Sequence, residues 1–124
     1  MIKTIIDLQN YINKDDALLL SNRLKEKDLN YVNIFNNQNE IMEPLGTGIY
    51  LFISCFMEIK YIGYSKNMDN RIKKHNKYKT NDTIITIMTH STFEGKSLET
   101  ELLSLFRGRN KLRNKIQILK GRKR

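Results

Sequence analysis

One segment restricts the fold of this chain more than any other, and it reads GIYLFISCFMEIKYIG over residues 48–63. Its β-branched and aromatic residues are typical of buried strands. Two strands joined by a turn at residues 56–58 account for the pattern. The segment therefore predicts a β-hairpin in which Tyr50 and Tyr61 lie opposite each other, within about 5 Å.

Three further segments complete the expected fold. Residues 66–79 predict a helix, and Arg71 and His75 share one face of it because they are four residues apart. Residues 83–90, TIITIMTH, predict a third strand from their β-branching. Residues 97–106, SLETELLSLF, predict an amphipathic helix capped by its first serine. Together they predict an α/β fold with a small, three-stranded, mainly antiparallel sheet flanked by helices.

A proline and two glycines mark a boundary. Pro44 is the only proline of the chain, and glycines follow it at positions 46 and 48. Before this boundary the apolar residues have helical spacing, and NYVNIF fits either a short strand or an irregular connection. We therefore predict three parts: an N-terminal helical extension at 1–43, the principal domain at 44–114, and a basic tail at 115–124.

The net charge of +9 lies entirely at the C-terminal end. Residues 107–124 contain nine Lys and Arg and no acidic residue, whereas residues 1–106 contain 13 side chains of each sign. A concentrated basic segment attracts nucleic acid through phosphate neutralisation and counterion release. A solubilising tail is the alternative interpretation. The side chains predicted to bind nucleic acid are Lys66, Lys74, Arg107, Arg109, Asn110, Lys111 and Arg113.

The sequence gives no indication of a membrane segment or of secretion. No apolar run reaches the roughly 18 residues that span a bilayer, and the N-terminus lacks the pattern of a secretory signal. The single cysteine, Cys55, lies in a predicted strand, where we expect it to be a small buried apolar side chain. We therefore expect a cytoplasmic protein with no membrane partner. The Asn-, Lys- and Ile-rich composition indicates an AT-rich genome, such as that of a phage or mobile element.

Polar side chains of several chemical kinds are predicted to converge beside the hairpin. They suit hydrolysis of a phosphodiester, which needs a base for the attacking water, positive charge at the phosphorus centre and help for the leaving oxygen. A carboxylate can hold one Mg²⁺, and the planar arginine fork suits phosphate. The candidates are Tyr50, Tyr61, Arg71, His75, Glu99 or Glu101, and Asn110 or Asn114.

Residues 46 to about 114 resemble the GIY-YIG nuclease family. The triplets GIY and YIG begin at Gly48 and Tyr61 with the spacing of that family, and Arg71 and His75 follow at matching positions. The resemblance implies hydrolysis of a DNA backbone at one divalent ion, Mg²⁺ or Mn²⁺. It further implies that Tyr50 positions or activates the water with Tyr61 as its partner. Arg71 would stabilise the phosphate, and His75 would assist proton transfer or contact the substrate.

The resemblance also favours one residue of each remaining pair. Glu99 is preferred over Glu101 as the metal ligand because a leucine precedes it and two leucines follow at the third and fourth positions. Asn114 is preferred over Asn110 because LRN is closer to the usual family ending, although the proline common there is missing. We therefore predict a Mg²⁺-dependent DNA endonuclease. The alternative is a non-catalytic nucleic-acid-binding or interaction protein that retains the fold.

Overall fold

A five-stranded antiparallel sheet forms the centre of the molecule. The computed structural model describes residues 2, 3 and 5–114, with side chains described from Asp7 onward, so the predicted basic tail at 115–124 lies outside the described residues. The strands are β1 (Ile2–Lys3), β2 (Val32–Phe35), β3 (Gly48–Ile53), β4 (Ile59–Ser65) and β5 (Thr83–Met88), and their order in the sheet is β1-β2-β5-β3-β4. The helices are α1 (Lys14–Glu26), α2 (Met68–Lys73) and α3 (Thr92–Arg107), with short 3₁₀ turns at Ile5–Asn10 and Gln38–Glu40.

The predicted α/β class is confirmed, and its three strands are β3, β4 and β5. The N-terminal segment contains the expected helix, α1, but it also supplies two strands that the sequence prediction did not count. Of these, β2 corresponds to the ambiguous stretch NYVNIF and pairs with β5 along its whole length. The N-terminal segment is therefore not purely helical, and part of it belongs to the same sheet as the predicted principal domain. The division into three parts stays a prediction.

The two faces of the sheet carry different layers, because successive side chains of a strand point to opposite sides. On one face Ile49, Leu51 and Ile53 pack in a core shared with α1 and α3. On the other face Tyr50 and Phe52 pack against apolar side chains of α2. The odd and even positions of β3 are all buried, which explains why its sequence is continuously apolar.

The β3–β4 turn corrects one prediction. Backbone hydrogen bonds close it between Ser54 and Glu58, and Met57 has a positive φ of 64°. The turn therefore begins one residue before Cys55, which is exposed rather than buried in a strand. Because the chain needs these residues to reverse direction, β3 ends at Ile53.

Both helices after the hairpin differ from the sequence prediction at an end. Helix α2 stops at Lys73, so His75 lies beyond it and does not share a helical face with Arg71. Helix α3 begins earlier than predicted, with Ser91 accepting a hydrogen bond from the Glu94 amide, so Ser97 is not its cap. Among the residues that the structure describes, no helix is long and apolar enough to cross a membrane.

Candidate active site

The candidate active site lies along the outer edge of strand β4. β4 is the last strand of the sheet, and an open strand edge presents unpaired backbone groups. The residues after α3 run beside it: the Arg113 amide donates to the Lys60 carbonyl, and the Asn114 side chain pairs with both backbone groups of Ile62. Further along, the Tyr64 amide lies near the carboxylate of Glu99 and lowers its pKa. Side chains from α3 and the C-terminal segment are thereby fixed along this edge.

A cleft of about 830 Å³ opens beside this edge, between α3 and the loop that follows α2. It contains five of the six predicted catalytic residues, although they come from β4, α2, its following loop, α3 and the C-terminal segment. The residues that line it include Tyr61, Arg71, His75, Glu99, Arg107 and Asn114. The sixth, Tyr50, lies beneath the cleft floor and is only 1% exposed.

The hairpin register corrects the expected pairing of the two tyrosines. Tyr50 lies opposite Gly63, and Phe52 lies opposite Tyr61. The tyrosines are therefore diagonal neighbours on one face, with stacked rings whose centroids are 5.9 Å apart. Gly63 is required by this packing, because a Cβ there would lie 2.5 Å from Cζ of Tyr50. The last residue of the YIG triplet thus makes room for the last residue of the GIY triplet.

Gly48, the first residue of the GIY triplet, is needed for a different steric reason. A Cβ on Gly48 would collide with the carbonyl oxygen of Ile87 on the neighbouring strand β5. It would also lie 2.9 Å from Cε of Met68, at the start of α2. Gly48 therefore lets β3 approach β5 closely at the point where α2 packs on the sheet.

Burial controls the protonation of Tyr50. Removal from water raises the pKa of its phenol well above the usual value, and the neighbouring Tyr61 raises it further. A hydrogen bond from the Arg71 guanidinium opposes this effect without overcoming it. The Tyr50 hydroxyl is therefore neutral at physiological pH and acts as a hydrogen-bonding group rather than as a phenolate.

His75 is held as a neutral ring. It is 8% exposed and packs edge-on against Tyr61, with ring centroids 4.4 Å apart. Burial, together with the positive charges of Arg71 and Lys77, lowers its pKa to about 4. Nδ1 accepts the Lys77 amide at 3.1 Å, which assigns the ring proton to Nε2. Nε2 is buried and has no hydrogen-bond partner within the described part of the chain.

The two glutamates of α3 have separate environments. Glu99 lines the cleft, and burial raises the pKa of its carboxyl group although the Tyr64 amide and Lys96 oppose the change. Glu101 points to α1, where it pairs with Arg23 at 2.9 Å and Lys27 at 3.1 Å. Of the two, Glu99 is the one whose carboxylate is available to the cleft.

The two candidate asparagines, Asn110 and Asn114, lie in different places and have different hydrogen-bond partners. Asn114 lines the cleft, where Ile62 donates to its Oδ1 at 3.1 Å and its Nδ2 donates to the Ile62 carbonyl at 2.7 Å. Asn110 instead donates to the buried Asp16 at 3.1 Å, at the start of α1. The geometry thus brings Asn114, and not Asn110, to the other candidates.

The predicted nucleic-acid-binding side chains divide into two groups. Arg109 pairs with Asp16 at 2.7 Å, although 42% of its side chain is exposed, and Arg113 pairs with Asp82 at 2.6 Å. Asn110 also donates to Asp16, so all three side chains have partners within the protein. Their nucleic-acid-binding role stays a prediction that this geometry does not favour. The remaining four are available at the surface or in the cleft, namely Lys66, Lys74, Arg107 and Lys111.

Two contributors to the site were missed at the sequence level. Asp82 is buried and joins the segment after α3 to the start of β5. Lys77 contributes backbone groups as well as its charge, through the amide that donates to His75 and the carbonyl that accepts from Arg113. An aspartate directly before the apolar run TIITIM was the available signal, because a buried carboxylate needs a partner.

The comparison with known families agrees with this site. The family model of the GIY-YIG catalytic domain matches residues 46–114, which is more than half of the chain and includes all the cleft residues named above. No curated protein and no solved structure matches the chain. The matched range has the same limits as the resemblance seen in the sequence. The chain therefore belongs to the GIY-YIG nuclease family.

Proposed function

We propose that the protein is a Mg²⁺-dependent DNA endonuclease that hydrolyses phosphodiester bonds at a single metal site. The observation that carries the proposal is the convergence of Tyr61, Arg71, His75, Glu99 and Asn114 on one cleft, above Tyr50. This set combines a carboxylate, a permanent positive charge and neutral hydrogen-bonding groups, as phosphodiester hydrolysis requires. The single cysteine is consistent with the proposed cytoplasmic location.

The side chains of the cleft fit one magnesium ion. Mg²⁺ is usually bound by one or two carboxylates and keeps several waters, and Glu99 offers one carboxylate in a cleft with room for water. In the described part of the chain no three His, Cys, Asp or Glu side chains cluster in a way that could hold a metal, so a cage made only of protein ligands is not part of the proposal. A cation there would offset the burial that raises the pKa of Glu99. When bound, the ion would supply Lewis-acid polarisation of the phosphate and more acidic water.

Arg71 and Tyr50 form the phosphate side of the proposed mechanism. The guanidinium is exposed at the cleft and lies beside the Tyr50 hydroxyl, and this neighbour raises its pKa. It would stabilise the negative charge that develops on the phosphate oxygens as water adds to phosphorus. The neutral Tyr50 hydroxyl holds Arg71 and Tyr61 together, so Tyr61 is the phenol that can reach the attacking water.

His75 and Asn114 form the other side. Because Nδ1 of His75 accepts from the Lys77 amide, the ring carries a neutral N–H donor at Nε2, suited to a phosphate oxygen or the leaving oxygen. This nitrogen is buried in the structure, so we propose that it becomes accessible when substrate enters the cleft that His75 lines. Asn114 uses its amide on the backbone of Ile62, next to Tyr61. We propose that Asn114 fixes the strand that carries Tyr61 instead of reacting itself.

The first test compares two glutamates of the same helix. Glu99→Gln removes the proposed ligand charge with little change of shape, and we expect cleavage of supercoiled plasmid in Mg²⁺ to fall by at least about 100-fold. Glu101→Gln is the matched control, because it loses ion pairs with Arg23 and Lys27 but does not line the cleft. It should cleave at close to the wild-type rate.

The same assay separates the rival function. A non-catalytic nucleic-acid-binding protein would bind DNA without cutting it in Mg²⁺, Mn²⁺ or any other divalent ion. Circular dichroism and thermal melting show whether each variant is folded. Undiminished nicking by a folded Glu99→Gln protein would overturn the metal-ligand assignment.

A further inference from the structure

We propose that Arg113 is a positioning residue that fixes the cleft from inside the protein, and that it does not contact DNA. It would hold two pieces of the site in register: the loop that carries His75 and the strand edge that carries Tyr61. This inference rests on the proposed function for its kinetic consequences, but its structural part can be tested without any activity.

The guanidinium of Arg113 is surrounded by fixed acceptors. Nη1 donates to Oδ2 of Asp82 at 2.6 Å, and Nη2 donates to Oδ1 at 3.2 Å, so the salt bridge is bidentate. Nη1 also donates to the Lys77 carbonyl at 2.8 Å. Asp82 is 2% exposed and additionally accepts the Lys79 amide at 2.8 Å. The charge of Arg113 is thus neutralised by an internal carboxylate.

The contact with Lys77 connects Arg113 to the loop that carries His75. The carbonyl of Lys77 accepts from Arg113, while the amide of the same residue donates to Nδ1 of His75. Lys77 is therefore held on both sides, and the hydrogen bond that sets the His75 tautomer depends on where Lys77 lies. Arg113 acts on His75 through this one residue.

The backbone of Arg113 connects the same group to β4. Its amide donates to the Lys60 carbonyl, and the next residue, Asn114, pairs with Ile62. Lys60 and Ile62 are the two neighbours of Tyr61 in the strand. One residue therefore ties the loop of His75 to the strand of Tyr61, two segments whose rings touch at the cleft floor.

A direct phosphate contact is the competing role for Arg113, and the geometry disfavours it. A phosphate would have to compete with Asp82, whose two carboxylate oxygens both accept from the guanidinium. Pulling Arg113 away would leave a buried carboxylate without its cation, which is strongly unfavourable. The two roles predict opposite effects of changing Asp82, and this difference gives the test.

The kinetic experiment compares Asp82→Asn and Arg113→Gln with Asp16→Asn. Asp16 is the matched control because it is also 2% exposed and also pairs with an arginine of the C-terminal segment, Arg109. We expect Asp82→Asn and Arg113→Gln to lower single-turnover cleavage at saturating DNA by about 10- to 100-fold. DNA affinity and its salt dependence should stay unchanged, and Asp16→Asn should cleave normally.

The second readout needs no cleavage. The chain has only two histidines, so ¹⁵N-labelled imidazole signals of His75 can be followed beside those of His90 at neutral pH. We expect Asp82→Asn and Arg113→Gln to shift the Nδ1 resonance of His75 while His90 stays in place. Asp16→Asn should shift neither signal, even if it lowers the melting temperature as much.

The outcomes are distinct. An unchanged His75 spectrum in folded Asp82→Asn and Arg113→Gln proteins would overturn the proposal, whether or not the protein is a nuclease. A weaker DNA affinity with a lower salt slope in Arg113→Gln, but not in Asp82→Asn, would assign Arg113 to phosphate contact instead. A His75 shift in a protein that cuts no DNA would support the positioning role and refute only the proposed function.

Discussion

At the scale of single residues, His75 shows how packing decides what a side chain can do. An imidazole exposed on a helix would exchange protons near neutral pH, but His75 lies between Tyr61 and the rest of the aromatic layer. Burial and the positive charges of Arg71 and Lys77 lower its pKa to about 4. The side chain is therefore a fixed neutral donor over the whole physiological range.

The lowered pKa of His75 makes stability depend on pH. The unfolded chain, in which histidine has a pKa of 6.5, binds the proton more readily than the folded protein does. The stability contributed by neutral His75 is complete above about pH 6.5 and is lost as the pH falls through about 4. We expect the wild type to lose about 3 kcal/mol more unfolding free energy between pH 7 and pH 4 than His75→Gln does.

Urea unfolding of both proteins across this range checks the prediction. Other groups titrate equally in the two proteins, so the difference between their curves isolates His75. Parallel curves would show that His75 takes its proton as readily in the folded protein as in the unfolded chain. The assigned tautomer and the neutral-donor role would then lose their support.

At the scale of elements, the sequence pattern predicted those strands and helices whose formation depends mainly on their own residues. Strands β3, β4 and β5 were predicted from β-branched runs, and α1 and α3 from apolar spacing. The two-residue β1 and four-residue β2 are too short for a periodic signal. β2 forms because β5 offers it an open edge, and β1 pairs in turn with β2. The end of α2 at Lys73, which takes His75 off the helix, likewise depends on tertiary packing.

Gly63 allows a prediction about the hairpin itself. In Gly63→Ala the new Cβ would lie 2.5 Å from Cζ and 2.6 Å from the hydroxyl of Tyr50, so the ring must move away from Arg71. We expect unfolding free energy to fall by about 1–3 kcal/mol and the cleavage rate to fall by about 10- to 100-fold. Gly63→Ala should thus damage both the fold and the site.

Gly108→Ala is the matched control for this substitution. A Cβ there meets no atom within 4 Å, and the backbone φ of −79° suits alanine. Its stability should be unchanged or higher by about 0.5 kcal/mol, with normal cleavage. Denaturant unfolding and single-turnover kinetics on the three proteins give the comparison. Equal stability and equal cleavage rates of the two variants would mean that the close contact of Gly63 with Tyr50 matters for neither the fold nor the activity.

At the scale of the whole molecule, long-range ion pairs determine which positive charges remain without an acidic partner and could meet a nucleic acid. Arg109 reaches Asp16 across 93 residues of sequence, and Arg113 reaches Asp82 across 31. No local pattern reveals such partners, so sequence reasoning counted both arginines as a DNA-binding surface. Their pairing with buried aspartates leaves Arg107, Lys111 and the basic residues after Asn114 as the remaining C-terminal sources of positive charge.

The charge distribution predicts how a truncated protein should behave. Residues 115–124 carry five basic side chains and no acidic one. If they neutralise phosphates, a protein ending at Asn114 should bind DNA with a salt slope lower by up to about 4.5, because each of five contacts contributes about 0.9 to the slope. Its melting temperature and its cleavage rate at saturating DNA should be retained, since the cleft residues all remain.

Binding is measured without divalent ions over a range of salt concentrations, so that cleavage does not interfere. Arg107→Gln in the full chain calibrates the effect of one charge: removal of this one positive charge from the cleft should lower the salt slope by about 1. Arg23→Gln removes the same charge from a side chain paired with Glu101 and should leave the slope unchanged. A truncated protein with the full-length slope would make residues 115–124 a solubilising segment. Binding would then depend on residues 1–114, because the positive charge that meets the phosphates would have to lie among them.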